Sequence, residues 1–596
     1  MNITCVSAQG RSVDTDLSTL LTPALREAAR LEANRWIKRL RLVRYGPHSM
    51  RERFTYRGDS LWWFTELYLH KMRRLDRAAA VTLALEAARA RFEPARIMLA
   101  GADDVGACVG RAFSAAHGVP IEIKDESASR STAWQGYLVG ATARLSRLRG
   151  GGAPLSSHPA IAAFVHTAFW HTPDPQQESY IGPVLDALAR RCRAGDLFFV
   201  GVGPRRNFRA RRWWDSLAPA RGSQPPVTPI ERLAPRQRLG GSLALWRQRH
   251  DLARDLTSGD DIRAAGTFRD CDLWPLLQRE LADTARVQWT WSARAMDEAG
   301  AALDALEPRA VLTYAEAGGW GRALILEARR RGIHSAGLQH GFIYRHWLNY
   351  LHETDEMDSL GRDAGFPRPD RTLVYDNFAA EHLHQAGHFP DASVAVTGNA
   401  RLDDLMSRMP SVRAEREQIR ERLGAAGATR LALLAAKFTE IRDVLPALIG
   451  AAARLPHIRL VIKPHPAEIP ALYTPFVEGR SNVAIAPPTL DLASLLAAAD
   501  GLVTMNSTVA IDGLVLDLPT LVIGLPSNLS PFVDAGVMLG ADEPGTIERS
   551  LEALLYDRQV RDRLAAAAGP LVRRYRLAPD GHAAERAADE ILRMTT

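Results

Sequence analysis

Short apolar runs alternate with longer amphipathic stretches along the last third of the chain. Residues 431–436 (LALLAA), 458–462 (IRLVI), 481–486 (SNVAIA), 501–504 (GLVT) and 519–523 (PTLVI) read as buried strands. Helical patterns at about 440–455, 491–499 and 507–516 fall between them. Strands of this length alternating with helices predict βαβ units around a parallel sheet. The same alternation appears earlier: strands are predicted at 95–100, 120–123, 197–202, 310–314, 334–338, 371–375 and 394–397, and helices at 320–331 and 378–386. The fold class expected is α/β, with two Rossmann-like domains. The first covers 91–375, with an insertion near 203–240 rich in Arg and Pro; the second covers 376–596; residues 1–90 read as a helical extension. One internal echo stands out, residues 56–62 (YRGDSLW) against 268–274 (FRDCDLW). Two copies are too few for a solenoid. A shared packing role and an aromatic platform for an acceptor both fit them.

Composition narrows the class. Of 596 residues, 46% are hydrophobic and 24% charged, which excludes a mainly disordered chain. The four cysteines are far apart and match neither a disulfide framework nor a structural zinc site, as expected in a reducing compartment. No apolar run reaches the roughly 18 residues a membrane span needs. The N-terminus also lacks the basic-then-apolar pattern of a signal peptide. A cytoplasmic location is expected. Net charge is +7, almost all of it carried by arginine, with only five lysines in the chain. That excess is too small to select nucleic acid, anionic lipid or a phosphorylated substrate. The basic, aromatic stretch 205–214 (RRNFRARRWW) is compatible with a solvated loop or with peripheral contact at the inner face of the cytoplasmic membrane. No nucleic-acid-binding module surrounds it, so no nucleic-acid partner is expected.

The candidate chemistry sits just after predicted strands, where open α/β sheets bind ligands. Lys463-Pro464-His465-Pro466 follows IRLVI, and its prolines stiffen a loop that holds a cation and an imidazole. Both suit a phosphate. Asn506-Ser507-Thr508 follows GLVT, where capping and phosphate binding are both served. Lys437-Phe438-Thr439 ends another strand of the same sheet, so Lys437 and Thr439 are candidates for the same anion. In the first domain, Glu316 lies in YAEAGGWG, whose spacing is not that of a dinucleotide fingerprint. Glu316 is either a general base or an acid placed by the dipole of the helix that follows. His340, in Gln339-His340-Gly341, closes the strand 334–338. Arg401, in Gly398-Asn399-Ala400-Arg401-Leu402-Asp403, is expected to meet a donor phosphate or else Asp403 or Asp404. His346 and His352 lie near His340, but the spacing fits no compact metal-ligand motif, and no metal is expected. No Walker A loop, GxSxG, HExxH or evident hydrolytic carboxylate pair occurs.

Four of these motifs, in this order, resemble the GT-B glycosyltransferases, and within them the bacterial capsule and surface-polysaccharide transferases. That group includes polysialyltransferases, capsule Kdo transferases and CDP-glycerol glycerophosphotransferases. The resemblance rests on Gln339-His340-Gly341, the 398–403 segment, Lys463-Pro464-His465-Pro466 and Asn506-Ser507-Thr508, and covers roughly 305–575. It implies a transferase without cofactor that uses a nucleotide-activated donor, a CMP-linked sugar among the candidates, and a glycan or lipid-linked acceptor. It also implies that His465, Ser507 and Thr508 bind the donor phosphate. For the base it offers His340, by likeness to the glycerophosphotransferases, or Glu316. In the latter, Ala317 replaces one acid of the polysialyltransferase motif. Transfer of a polyol phosphate, nucleotide-sugar epimerisation and a non-catalytic assembly role are the alternatives.

Overall fold

The structure, a computed structural model, describes residues 1–126, 158–171, 177–203, 227–314, 318–343, 345–465, 468–505, 507–524 and 530–596. Two all-parallel sheets organise it. The first has seven strands, in the order Thr228–Pro229, Leu197–Val202, Ile161–His166, Ala310–Thr313, His334–Leu338, Arg371–Val374 and Val394–Val396. The second has six: Val483–Ile485, Ile458–Lys463, Arg430–Ala435, Gly501–Thr504, Thr520–Ile523 and Leu539–Ala541. Counted along the chain, the second sheet has strand order 3-2-1-4-5-6, the Rossmann order, and the first repeats it with a seventh strand added. In each sheet the winding reverses between strands 1 and 4, leaving a crevice at their carboxyl ends. Two such domains are the GT-B architecture expected from the sequence.

The apolar runs become strands because both faces of each sheet are covered. Ile161, Ala163 and Leu312 of the first sheet pack against helix Gly182–Arg191 on one face. On the other face Ala162, Phe164 and Val311 meet helices Trp289–Leu306 and Gly319–Arg330. Leu434, Leu460 and Val503 of the second sheet pack on helix Leu445–Arg454, while Leu433, Val461 and Leu502 face helix Leu492–Ala498. The last helix, Ala583–Arg593, leaves the second domain and returns to the first. It buries Ala587, Ala588 and Ile591 beside helix Gly182–Arg191. Between the domains Phe342 stacks on Phe378 at 5.5 Å and both meet Phe532.

Two stretches are arranged differently from the sequence reading. The first sheet runs past residue 375, because Val394–Val396 finds its register against Arg371–Val374. The first 90 residues are rich in helix, in Pro23–Arg39, Trp62–Met72 and Arg74–Phe92, but they also hold strands Asn2–Val6 and Ser12–Asp16. These join Arg96–Ala100 and Ile121–Lys124 in a separate four-stranded sheet. The internal echo is a packing unit. Each copy is a two-residue hairpin, Thr55–Tyr56 with Asp59–Ser60 and Thr267–Phe268 with Cys271–Asp272, that leads into a helix opened by Trp62 or Trp274. Positive φ at Arg57, Gly58, Arg269 and Asp270 gives both turns the twist that two-residue hairpins require. Trp62 and Trp274 are buried in the core, so neither forms a binding platform. Among the described residues no helix is long and apolar enough to cross a membrane.

Candidate active site at two facing sheet edges

In the second sheet Ala435 lies in register with both Lys463 and Thr504. The loops that begin with Ala436, Pro464 and Met505 therefore leave from one level, around the switch point. The Thr504 hydroxyl donates to the Ala435 carbonyl at 2.7 Å and ties two of the strands at that edge. The Glu468 carboxylate accepts the Phe438 amide at 2.9 and 3.0 Å and the Tyr473 hydroxyl at 3.1 Å. Tyr473 also donates to the Ala436 carbonyl. This bracket locks the loop bearing Lys437 to the loop bearing Lys463 and His465. Sequence reasoning missed Glu468, whose only signal is its place two residues beyond the Pro-His-Pro run.

Lys437 and Thr439 are exposed at the edge, and Lys463 and His465 are half-buried. Burial pulls the Lys463 pKa down, so an arriving anion would relieve the cost of keeping its ammonium charged. The Ser507 hydroxyl accepts the Val509 amide at 3.3 Å, and Thr508 precedes the short helix Val509–Val515. Asn506 lies outside the described residues, as do Glu316 and the 205–214 cluster.

Across the cleft, His340 follows strand His334–Leu338. Its ring lies 5.6 Å from that of Tyr314 and 5.9 Å from that of Tyr180. Gln339 is buried: its side-chain amide donates to the Gly341 carbonyl at 2.9 Å, and its carbonyl oxygen accepts the Tyr375 amide at 2.8 Å. The turn that carries His340 is thereby clamped to the neighbouring strand end. Burial lowers the His340 pKa to about 4. The positive charges of Lys437 and Lys71 add to this, while a hydrogen bond to the Tyr314 backbone opposes it. Lys437 belongs to the second domain and Lys71 to the N-terminal extension. Both charges act on His340 and favour its uncharged imidazole, at the point where the two sheet edges face each other. Its resonance in an NMR titration is expected to stay flat from pH 7 to pH 5 and to move near pH 4. In Lys437→Met, which lacks one cation, the midpoint is expected to rise. A wild-type midpoint above 6 would contradict this geometry.

Two other buried groups complete the edge. The Glu178 carboxylate accepts the Tyr180 and Ile181 amides at 2.8 and 2.5 Å, and its second oxygen has no hydrogen-bond partner among the described residues. Burial raises its pKa to about 7. Burial, with the charge of Glu178 adding to it, pushes the Tyr314 phenol well above its usual value. The Tyr314 hydroxyl accepts the His166 amide at 2.8 Å.

Arg401 meets neither Asp403 nor Asp404. Its guanidinium donates to both oxygens of buried Asp512 at 2.7 Å, joining the helix after the last strand of the first sheet to helix Val509–Val515 of the second domain. Asp403 instead accepts the Ala583 amide at 2.8 Å, where the last helix returns. Arg401 thus serves the domain interface.

His346 and His352, near His340 in sequence, are structural. His346 pairs with Glu27 at 2.8 Å. His352 lies with Glu66 and Glu356 in a buried cluster whose ligand atoms fall within 4.8 Å of one another. The place a metal ion would take there is filled by the Lys38 ammonium, at 2.7 Å from Glu66, 2.8 Å from Glu356 and 3.3 Å from His352.

No family model and no curated protein matches the chain. Among solved structures it is similar to the S. aureus MnaA–UDP structure, with 12% identity and a TM-score of 0.44 over 73% of this chain and 96% of that one. It is also similar to UDP-GlcNAc 2-epimerase from Neisseria meningitidis bound to UDP-GlcNAc, with 14% identity and a TM-score of 0.42 over 73% and 98%. The wall teichoic acid polymerase TagF aligns with 12% identity and a TM-score of 0.38 over 78% and 96%. At these values the fold assignment rests on the sheet order and the returning helix described above.

Proposed function

We propose that this chain is a glycosyltransferase that moves a sugar from a nucleotide-activated donor, with a CMP-linked sugar among the candidates, to a surface-polysaccharide or lipid-linked glycan acceptor. The observation that carries this reading is the placement of neutral His340 at one switch-point edge, facing Lys437 on the edge that also bears Lys463 and His465. His340 takes the proton of the acceptor hydroxyl, the freed oxygen forms its bond to the anomeric carbon, and the bond from that carbon to the phosphate oxygen breaks. Lys437, Lys463 and His465 stabilise the charge that develops on the departing phosphate, with the hydroxyls of Ser507 and Thr508 as further donors. Glu316 is the alternative base. Peripheral contact with a membrane through 205–214 belongs to the same proposal. A product that gained phosphorus would instead identify transfer of a polyol phosphate.

The test is a thermal-shift panel with CMP, CDP, UDP, GDP and ADP on wild type, Lys463→Met and His465→Ala. One nucleotide is expected to stabilise the wild type, by about 2.7 kcal/mol at 100-fold excess over Kd, and the shift is expected to shrink in both variants. No shift with any nucleotide would overturn the reading.

A further inference from the structure

The switch point of the first sheet opens into a cavity of about 370 Å³, within the range of small-molecule sites. It lies between the ends of strands Ile161–His166 and Ala310–Thr313, and His340 forms part of its wall. Most of the lining is apolar or aromatic, including Phe164, Leu324, Trp320 and Trp347, and no acidic side chain lines it among the described residues. Helix Gly319–Arg330 begins at this wall without a side-chain cap, and its first backbone bond is donated by Arg322 to Gly318. The amides of residues 319–321 thus have no partner within the helix. Lys71, from the end of helix Trp62–Met72, reaches the same cavity and makes no hydrogen bond or ion pair among the described residues. Lys71 is exposed, with Arg322 as a cationic neighbour and no acidic partner among the described residues.

We propose that this cavity is the acceptor subsite and that it takes a compact group with C–H surface and one oxyanion, a carboxylate or a phosphate, which pairs with Lys71. This rests on the transferase reading. The apolar wall buries the C–H surface, and the anion pairs with the Lys71 ammonium. The bound group lies next to His340, which lines the same cavity. Only five lysines occur in the chain. Lys71, Lys437 and Lys463 line these two switch points.

The test titrates the full-length chain by calorimetry with cyclohexyl phosphate, cyclohexanecarboxylate and cyclohexanol. At least one anion is expected to bind, and the anion preferred names the source of the charge. Binding is expected to weaken tenfold or more in Lys71→Gln and to stay within about threefold of wild type in Lys71→Arg, consistent with a charge-assisted bond. Cyclohexanol binding as well as the anions, equal anion binding in Lys71→Gln, or no binding of either anion to wild type would each overturn the proposal. Nucleotide shifts are recorded on the same samples. Their absence from wild type would sink the donor reading while leaving an anion result at Lys71 standing, and their persistence in Lys71→Gln shows that the variant is folded.

Discussion

His340→Gln is expected to lower the rate of transfer by about 10²–10⁴-fold, the contribution typical of a positioned base, and to leave the nucleotide-induced thermal shift unchanged. The separation follows from position. His340 stands at the edge of the first sheet, whereas the proposed donor loops leave the second sheet at Ala436, Pro464 and Met505. Burial and two lysines disfavour the proton on its imidazole. A neutral imidazole can accept a proton, though at a pKa of about 4 it is a weak base. An anionic donor beside Lys437 offsets one of those charges and raises the pKa, so the base strengthens when the donor binds. The rate is measured with saturating donor and acceptor, alongside Glu316→Gln. A full rate in His340→Gln with a collapse in Glu316→Gln would transfer the role to Glu316.

The largest stability effect is expected at Lys38. Lys38→Met should destabilise the fold by about 3–5 kcal/mol, the range for breaking a buried ion pair by removing one partner. Lys38, Glu66 and Glu356 are all buried, and the ammonium is the centre of the cluster. Burial drives the Glu356 pKa up, but Lys38 and His352 outweigh it and hold the carboxyl well below its usual range. Without Lys38, Glu356 must either bear a charge that water cannot reach or take up a proton. Glu66 retains Arg322, which donates to it at 2.8 Å and lies over the Phe366 ring. The double variant Lys38→Met/Glu356→Gln is therefore expected to recover part of the loss. Denaturant unfolding followed by circular dichroism measures both. A loss under 1 kcal/mol in the single variant would show that the cluster is more open to solvent than its burial indicates. These elements join the N-terminal extension to the first domain, so the variant should also loosen helix Trp62–Met72, which carries Lys71 to the proposed acceptor cavity.

Much of the α/β pattern was legible along the chain. Runs such as LALLAA and IRLVI are apolar through their whole length and bounded by turn residues, and such runs form strands covered on both faces. Lys463, His465, Ser507 and His340 could be placed at strand ends because each follows such a run directly. Strand Ile161–His166 was passed over, although IAAFVH is as apolar as the others. It lies between stretches with no clear periodicity, and only pairing with Leu197–Val202 and Ala310–Thr313 makes it the central strand. Arg401 pointed to its sequence neighbours because a pattern shows only what is near along the chain. Its partner, Asp512, is brought to it by the meeting of two domains.

The local sequence thus determined most strands and helices of the two parallel sheets and the composition of each loop, since these depend on backbone preference and on apolar spacing within a few residues. The tertiary structure decided which loops share an edge, that Glu468 brackets two of them, that Lys38 fills the place of a metal ion, and that Lys71 and Lys437 flank His340 from different parts of the chain. Those are matters of distance and burial between residues remote in sequence. The strength of a charge on its neighbour depends on separation in space and on access of water, and neither is written into the order of residues.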